Sequence, residues 1–305
     1  MKLLKVNLKN KKLKRKVSVG ILTYNHELFI ARSLHSVLAL KYENLEILIS
    51  DDCSTDKTYK IVEDIVLSTK TIHTVVMNRN TVNVGLAGNF NKTFRDLATG
   101  DFLITLGGDD MIKLDYIELA LKHFEEENVM LLDFNGTIVN EMDEVKGIAS
   151  HLIGHRKLFS LDDYINLRPI STFAPGRMIR KELVQSFHPI AKQCPTEDSI
   201  LVLRALLLGK ALRLNENFIF YRRHQSNVST PSNLMKMSHI QIILQYLKDV
   251  QYALEIGIIS ERQFKKLLNI INYELKRREL QYSPVNRYVK RLKLIALRLV
   301  VKMRF

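Results

Sequence analysis

The sequence predicts an α/β fold with a mostly parallel central sheet flanked by helices, continued by a helical extension at its carboxyl end. Three observations predict it. Short apolar runs alternate with segments of helical period up to position 110. The runs are bounded by turn residues, as buried strands are. Two of them end in adjacent aspartates, Asp51-Asp52 and Asp109-Asp110, and open α/β sheets place their ligands at the carboxyl ends of strands.

The elements follow in order. Residues Lys2 to Lys16 are too charged to pack, and Val17 to Thr23 reads as the first buried strand. His26 to Leu40 carries Phe29, Ile30, Leu34, Val37 and Leu38 at helical spacing. Leu45 to Ser50 is a second strand, and Ser54-Thr55-Asp56 opens a helix over Lys57 to Ser68, with Thr55 or Asp56 as its cap. Thr74 to Met77 is a third strand, Asn89 to Thr99 a helix, and Phe102 to Leu106 a fourth strand. Beyond Asp110 the cadence loosens. Tyr116 to Glu127 reads as a helix, Val129 to Phe134 as a strand, Ser160 to Ile165 as a helix start and Pro169 to Gly176 as loop. Glu197 to Leu208 is a strongly apolar helix, and Ala211 to Leu214 and Phe218 to Tyr221 read as two late strands. Three helical segments follow from Asn233, separated at Gly257 and Pro284. The expected organisation is a basic tail over 1–16, a catalytic-type α/β domain over 17–230 and a helical extension over 231–305.

Charge and cysteine narrow the function classes. The net charge is +14, yet residues 1–16 hold eight Lys/Arg and residues 280–305 seven, with no acid in either stretch. The 263 residues between them carry 31 basic and 32 acidic side chains. A folded nucleic-acid binder would place its basic stripe on the folded body, so no nucleic-acid partner is expected. Cys53 and Cys194 stand far apart and form neither a disulfide framework nor a zinc motif, which suits a reducing cytosol. No apolar core of a signal peptide and no run of spanning length is expected.

The chemistry concentrates in a few motifs. Gly107-Gly108-Asp109-Asp110 directly follows the fourth strand. Glycines permit close backbone approach, and paired carboxylates are a hard-oxygen cage for Mg²⁺ or Mn²⁺ on a diphosphate. A solvated turn would use the same residues. Asp51-Asp52 repeats the arrangement after the second strand, where an acid can accept from a ribose hydroxyl or a base N–H, or serve only turn and cap chemistry. Thr23-Tyr24-Asn25-His26 stands where a dinucleotide fold would carry G-x-G-x-x-G, and no G-x-x-x-x-G-K-[ST] occurs. Glu197-Asp198 after Pro195-Thr196 is either a plain acidic helix start or a placed carboxylate. Tyr221-Arg222-Arg223-His224 is either a solvated basic turn or a diphosphate clamp, with Arg222 as the bidentate donor and His224 on phosphate or metal. The Gly176-Arg177-Met178-Ile179 stretch is a loose candidate for the acceptor side.

Taken together, five motifs resemble family 2 glycosyltransferases in order and spacing over roughly residues 17 to 230. Val17 to Asn25 resembles their opening strand and T-Y-N turn, and Ile49 to Asp56 their D-D-x-S-x-D motif. Asn83 to Asn89 is similar to their N-x-G loop, Gly107 to Asp110 stands where they carry a metal-binding D-x-D, and Thr196-Glu197-Asp198 resembles their E-D motif. The resemblance implies a Rossmann-like glycosyltransferase-A fold and inverting transfer from a nucleoside-diphosphate sugar, of UDP type, to a glycan or lipid-linked hydroxyl. It implies a nucleotide-binding set of Thr23, Tyr24, Asn25, Asp51, Asp52, Asn89 and Asp109. Asp110 with Asp109 would hold the metal, and Asp198 would be the general base, with Glu197 beside it. One departure is Gly107, where many members carry a first aspartate.

Two rival classes differ in their signals. A metal-dependent nucleotidyltransferase would show a glycine-rich, Arg/Lys-bearing loop after the first strand. A non-enzymatic membrane adaptor on a degenerate fold would have lost the acid motifs. At the carboxyl end, Val289, Leu292, Ile295, Ala296, Leu299, Val300 and Met303 form one helical stripe flanked by Arg and Lys. Such a helix suits an anionic membrane surface, with the protein peripheral on the inner face, or it packs on the domain.

Overall fold

The structure, a computed structural model, describes residues 14–302 apart from 127, 150, 151, 153 and 284. Most of the expected basic tail over 1–16 therefore lies outside the described residues. The first half follows the expected alternation: β1 (Val17–Thr23), α1 (Ile30–Leu38), β2 (Leu45–Asp51), α2 (Thr58–Ser68), β3 (Thr74–Arg79), α3 (Gly85–Asn91), β4 (Phe102–Gly107) and a two-residue β5 (Met111–Ile112). α1 is shorter than its apolar period because residues 26–29 are spent on turns against the second motif. α3 starts at Gly85 rather than Asn89 and relaxes into a π-helical turn over Lys92–Leu97.

The second half comprises α4 (Tyr116–His123), β6 (Val129–Val139), β7 (Val145–Ile148), β8 (Arg156–Phe159), α5 (Leu161–Ile165), β9 (Met178–Arg180), α6 (Glu182–Gln185), α7 (Asp198–Leu208) and β10 (Lys210–Arg222). The carboxyl segment adds α8 (Pro231–Lys236), α9 (His239–Glu255), α10 (Glu261–Tyr282) and α11 (Arg287–Lys302). The two late strands expected around position 215 are one continuous β10. Its polar centre, Asn215-Glu216-Asn217, reads as a turn but is absorbed as register shifts against β6.

The sheet order is β3-β2-β1-β4-β9-β6-β10-β5. β3, β2, β1, β4, β6 and β10 point the same way, while β9 and β5 run against them. The chain leaves β1 toward β2 and β3, then returns to add β4 on the other side. This puts a topological switch point between β1 and β4, where open sheets leave a crevice.

Cores lie on both faces. Val17, Val19 and Ile21 of β1 pack with Leu34 of α1, Val62 of α2 and Ile117 of α4. The opposite face joins Phe90 and Phe94 to Leu201 of α7 and to Ile242, Tyr246 and Val250 of α9. The extension thus shares the core of the α/β body. A buried bidentate pair, Arg204 Nε and Nη2 donating to Asp249 at 2.7 and 2.9 Å, ties α7 to α9.

Candidate active site

The turns after β1 and β2 interlock. Asn25, at φ 54°, accepts from Thr55 N at 2.9 Å and donates its own N–H to Ser54 Oγ at 2.9 Å. Asp51 accepts from Ser54 N at 2.9 Å and from Ser54 Oγ, so it is the turn acid of the pair. Asp52 instead accepts from Val84 N and Gly85 N, each at 2.9 Å, and from Asn80 Nδ2. Its carboxylate sits at the amino end of α3 and fixes the N-x-G loop there. Asn89 is buried with both side-chain ends occupied: Oδ1 accepts from Ser50 Oγ and Asn80 Nδ2, and Nδ2 donates to Ser50 O. These bonds tie it to β2 and to the loop before α3. Thr23 is buried beside His26, with Oγ1 and Nδ1 at 3.2 Å, while Tyr24 is exposed.

The Gly107-Gly108-Asp109-Asp110 turn lies across the switch point. A Cβ on Gly108 would come 2.6 Å from Thr23 Oγ1, so this glycine allows contact with the β1 turn. A Cβ on Gly107 would lie 2.5 Å from Asp109 Oδ1. The missing first aspartate thus leaves the room that the Asp109 carboxylate occupies. Asp109 Oδ2 meets His224 Nε2 at 2.9 Å and accepts from Asn227 Nδ2 at 3.1 Å. Burial works to raise Asp109, but the His224 hydrogen bond and the nearby imidazoles outweigh it and hold its carboxyl below the usual range. Asp110 is buried beside that negative charge, and both effects push its carboxyl well up.

Arg222, expected as a diphosphate clamp or part of a solvated basic turn, is enclosed. It has no exposed surface. Nε donates to Asp109 O at 2.9 Å, Nη1 donates to Asn140 O at 2.8 Å, and Nη2 pairs with Asp143 at 2.5 Å. Its backbone N–H donates to Asp110 Oδ1 at 2.9 Å. Arg222 therefore holds the aspartate turn through both its side chain and its backbone N–H. Gly176, the loose candidate for the acceptor side, stands in a tight turn. Its φ is +69°, its carbonyl accepts from Tyr116 Oη at 2.5 Å, and a Cβ there would meet Ile219 Cδ1 at 2.1 Å. It bends the loop into β9 while its neighbours Ala174 and Pro175 line the cleft.

At the start of α7, Glu197 is buried and Asp198 follows it. Burial, then the charge of Asp198, pushes Glu197 up to about 8. Burial also raises Asp198, and Arg177 partly offsets it. Arg177 is buried beneath both, bidentate to Asp133 at 2.7 and 2.9 Å, with Nη1 donating to Asp198 O at 2.6 Å.

These pieces converge. Asp109 and Asp110 from the β4 turn, Glu197 and Asp198 from α7 and Tyr221 from β10 line one cleft of about 350 Å³. Asp109 Oδ1 and Asp110 Oδ2 accept no hydrogen bond from another described residue. Two such carboxylate oxygens match the donor chemistry of Mg²⁺ or Mn²⁺. Among the described residues no group of three or more His, Cys, Asp or Glu side chains is set to hold a metal ion. The pair is therefore a partial shell, with phosphate oxygens and water left to complete it.

The family model for glycosyl transferase family 2 matches residues 18–187, more than half of the chain and all of the turns just described except those after β9. The chain belongs to glycosyl transferase family 2. An uncharacterized glycosyltransferase of Nostoc sp., alr2836, is 25% identical over 267 residues, covering 82% of this chain and 81% of the relative. The Escherichia coli UDP-Glc:alpha-D-GlcNAc-diphosphoundecaprenol beta-1,3-glucosyltransferase WfgD is 31% identical over 144 residues, covering 47% of this chain and 54% of the relative. Residues 1–349 of Staphylococcus aureus TarS in complex with UDP-GlcNAc superpose with a TM-score of 0.57 at 18% identity, covering 94% of this chain and 90% of that one. The likeness to TarS concerns the fold.

Several residues that build this glycosyltransferase's cleft carried little signal in sequence. Asn227 joins Asp109 to Arg222 O, and its only local mark is a spacing of three residues from His224. Asn80 bridges Asp52 and Asn89. Asp133 anchors Arg177 from inside an apolar strand, where a lone buried acid is itself a signal of a partner.

Proposed function

We propose that this glycosyltransferase moves a sugar, with inversion, from a UDP-type nucleoside-diphosphate sugar to a hydroxyl of a glycan or lipid-linked acceptor in bacterial surface polysaccharide synthesis. The observation that carries this reading is the convergence of the Asp109-Asp110 and Glu197-Asp198 pairs on one cleft at the switch point. The donor-type and acceptor-type names of WfgD and the UDP-GlcNAc held by the TarS fold support it.

In this reading, Thr23, Asn25 and Asp52 shape the nucleotide end, with exposed Tyr24 free to meet the base. Asp109 and Asp110 would hold Mg²⁺ or Mn²⁺, which when bound neutralises charge on the departing diphosphate. The acceptor oxygen attacks the anomeric carbon, the bond from that carbon to the diphosphate oxygen breaks, and the hydroxyl proton passes to the Asp198 carboxylate. Glu197, pushed up to about 8, is the member of the pair that keeps its own proton, with Asp198 the one to take the acceptor's. Arg177 and Asp133 hold the α7 start in place.

Membrane attachment belongs to the same proposal. α11 leaves Tyr288, Leu292, Ile295 and Leu299 exposed, with Arg291 and Lys293 exposed beside them. Apolar contact plus basic charge suits an anionic surface, each basic group contributing ~1 kcal/mol. No helix among the described residues is long and apolar enough to cross a membrane.

The test is Asp198→Asn. It should lower turnover by roughly 10²–10⁴-fold while donor affinity stays within a factor of two or so. Wild-type turnover in that variant would remove Asp198 from the mechanism.

A further inference from the structure

A second pocket, of about 410 Å³, lies between the α5–β9 loop, α7, α10 and α11. Arg168, Arg277, Arg278 and Arg298 line it, against a single acid, Glu274. Glu274 engages Arg277 at 2.6 Å and Arg278 at 3.9 Å, Arg298 donates to Leu167 O at 2.7 Å, and Arg168 pairs with Asp163 at 2.7 Å. Four guanidiniums carry more positive charge than those partners neutralise, on a protein whose body is otherwise balanced. Two donors in the wall are buried without a hydrogen bond among the described residues: Tyr164 Oη, and Arg278 Nε, which has only the 3.9 Å ion-pair approach of Glu274. A buried donor left unmade is costly, and an anion with several acceptor oxygens would satisfy both.

The pocket adjoins the catalytic cleft. Ser199 and Arg278 line both, and Ser199 directly follows Asp198 on α7. We propose that this pocket holds the phosphate or diphosphate group of the acceptor while the acceptor hydroxyl lies at Asp198. The inference rests on Asp198 marking the acceptor side. Arginine forks pair bidentately with phosphate oxygens, and the volume is in the range of small-ligand sites. Arg298 comes from the helix whose exposed stripe faces outward, so a membrane-borne acceptor would reach the pocket along α11.

The experiment titrates the full chain, saturated with UDP and Mg²⁺, by calorimetry with inorganic pyrophosphate and with geranyl diphosphate. Both should bind, with UDP affinity unaffected. Arg298→Gln should weaken both probes about tenfold or more, and Arg298→Lys should recover part of the loss. Arg168→Gln is the fold-safe companion, because its side chain is 68% exposed and it should weaken the probes several-fold at unchanged melting temperature. Tighter geranyl diphosphate binding would assign a lipid source, and equal binding a phosphate carried by a soluble or polymeric acceptor. Pyrophosphate binding that disappears once UDP saturates the protein, or that is unchanged in both variants, overturns the proposal. Absence of UDP binding would instead sink the donor reading, leaving the probe titrations of wild type and variants to judge the pocket.

Discussion

Replacing Glu197 by Gln should abolish the pH dependence that this one carboxyl imposes on stability. The group is buried, and its folded value is about 8 against an ordinary 4.5. Between those pH values the folded chain keeps a proton that the unfolded chain has released. Its contribution is therefore fully present below about pH 4.5 and is lost as pH rises through about 8. At ~1.36 kcal/mol per unit, the loss by pH 7 is on the order of 3 kcal/mol. Gln keeps a donor toward Asp198 and has nothing to ionise. At about 2–4 °C per kcal/mol, the variant's melting temperature should gain several degrees on wild type between pH 5 and pH 7.5. Thermal unfolding followed by circular dichroism at half-unit pH steps measures this. Parallel curves for the two proteins would refute the neutral, buried Glu197. Transfer activity gives a second check: Glu197→Gln should remain active, and its inactivation together with an active Asp198→Asn would exchange the two roles.

Other perturbations probe separate parts. Gly176→Ala places a Cβ 2.1 Å from Ile219 Cδ1 at φ +69°, so a loss of roughly 2–5 kcal/mol is expected, read as a lower denaturant midpoint. An unchanged midpoint would contradict the tight loop. Asp110→Asn should abolish the gain in nucleoside-diphosphate affinity that Mg²⁺ or Mn²⁺ gives the wild type, measured by calorimetry with and without metal. Metal-independent binding in the wild type would count against the carboxylate pair as a metal site. Removing residues 286–305 should leave a nucleotide-binding protein that no longer pellets with phosphatidylglycerol vesicles, and high salt should weaken pelleting of the full chain. Equal pelleting of both chains would assign α11 to packing alone.

The alternation that predicts the α/β layers is a short-range property. β1, β2 and β4 are legible because a strand's burial and its bounding turns are written within seven residues. The acid doublets were legible for the same reason, since a carboxylate pair after a strand needs only neighbours in sequence. What each doublet does required the tertiary structure. Asp51 became a turn acid and Asp52 the anchor of α3 because Ser54 and the Val84-Gly85 backbone reach them differently. Arg222 reads in sequence as part of a solvated basic turn or as a clamp, and β10 pairing with β5 brings it under an aspartate turn 112 positions away. Asn89 was spent on β2, and Gly176 on a contact with Ile219, for equally non-local reasons. The sequence by itself determined the layers, the family and which residue types stand at the strand ends. Only long-range strand pairing decided which of them face the cleft and which hold it up, because a side chain's partners are set by register and not by its own neighbours.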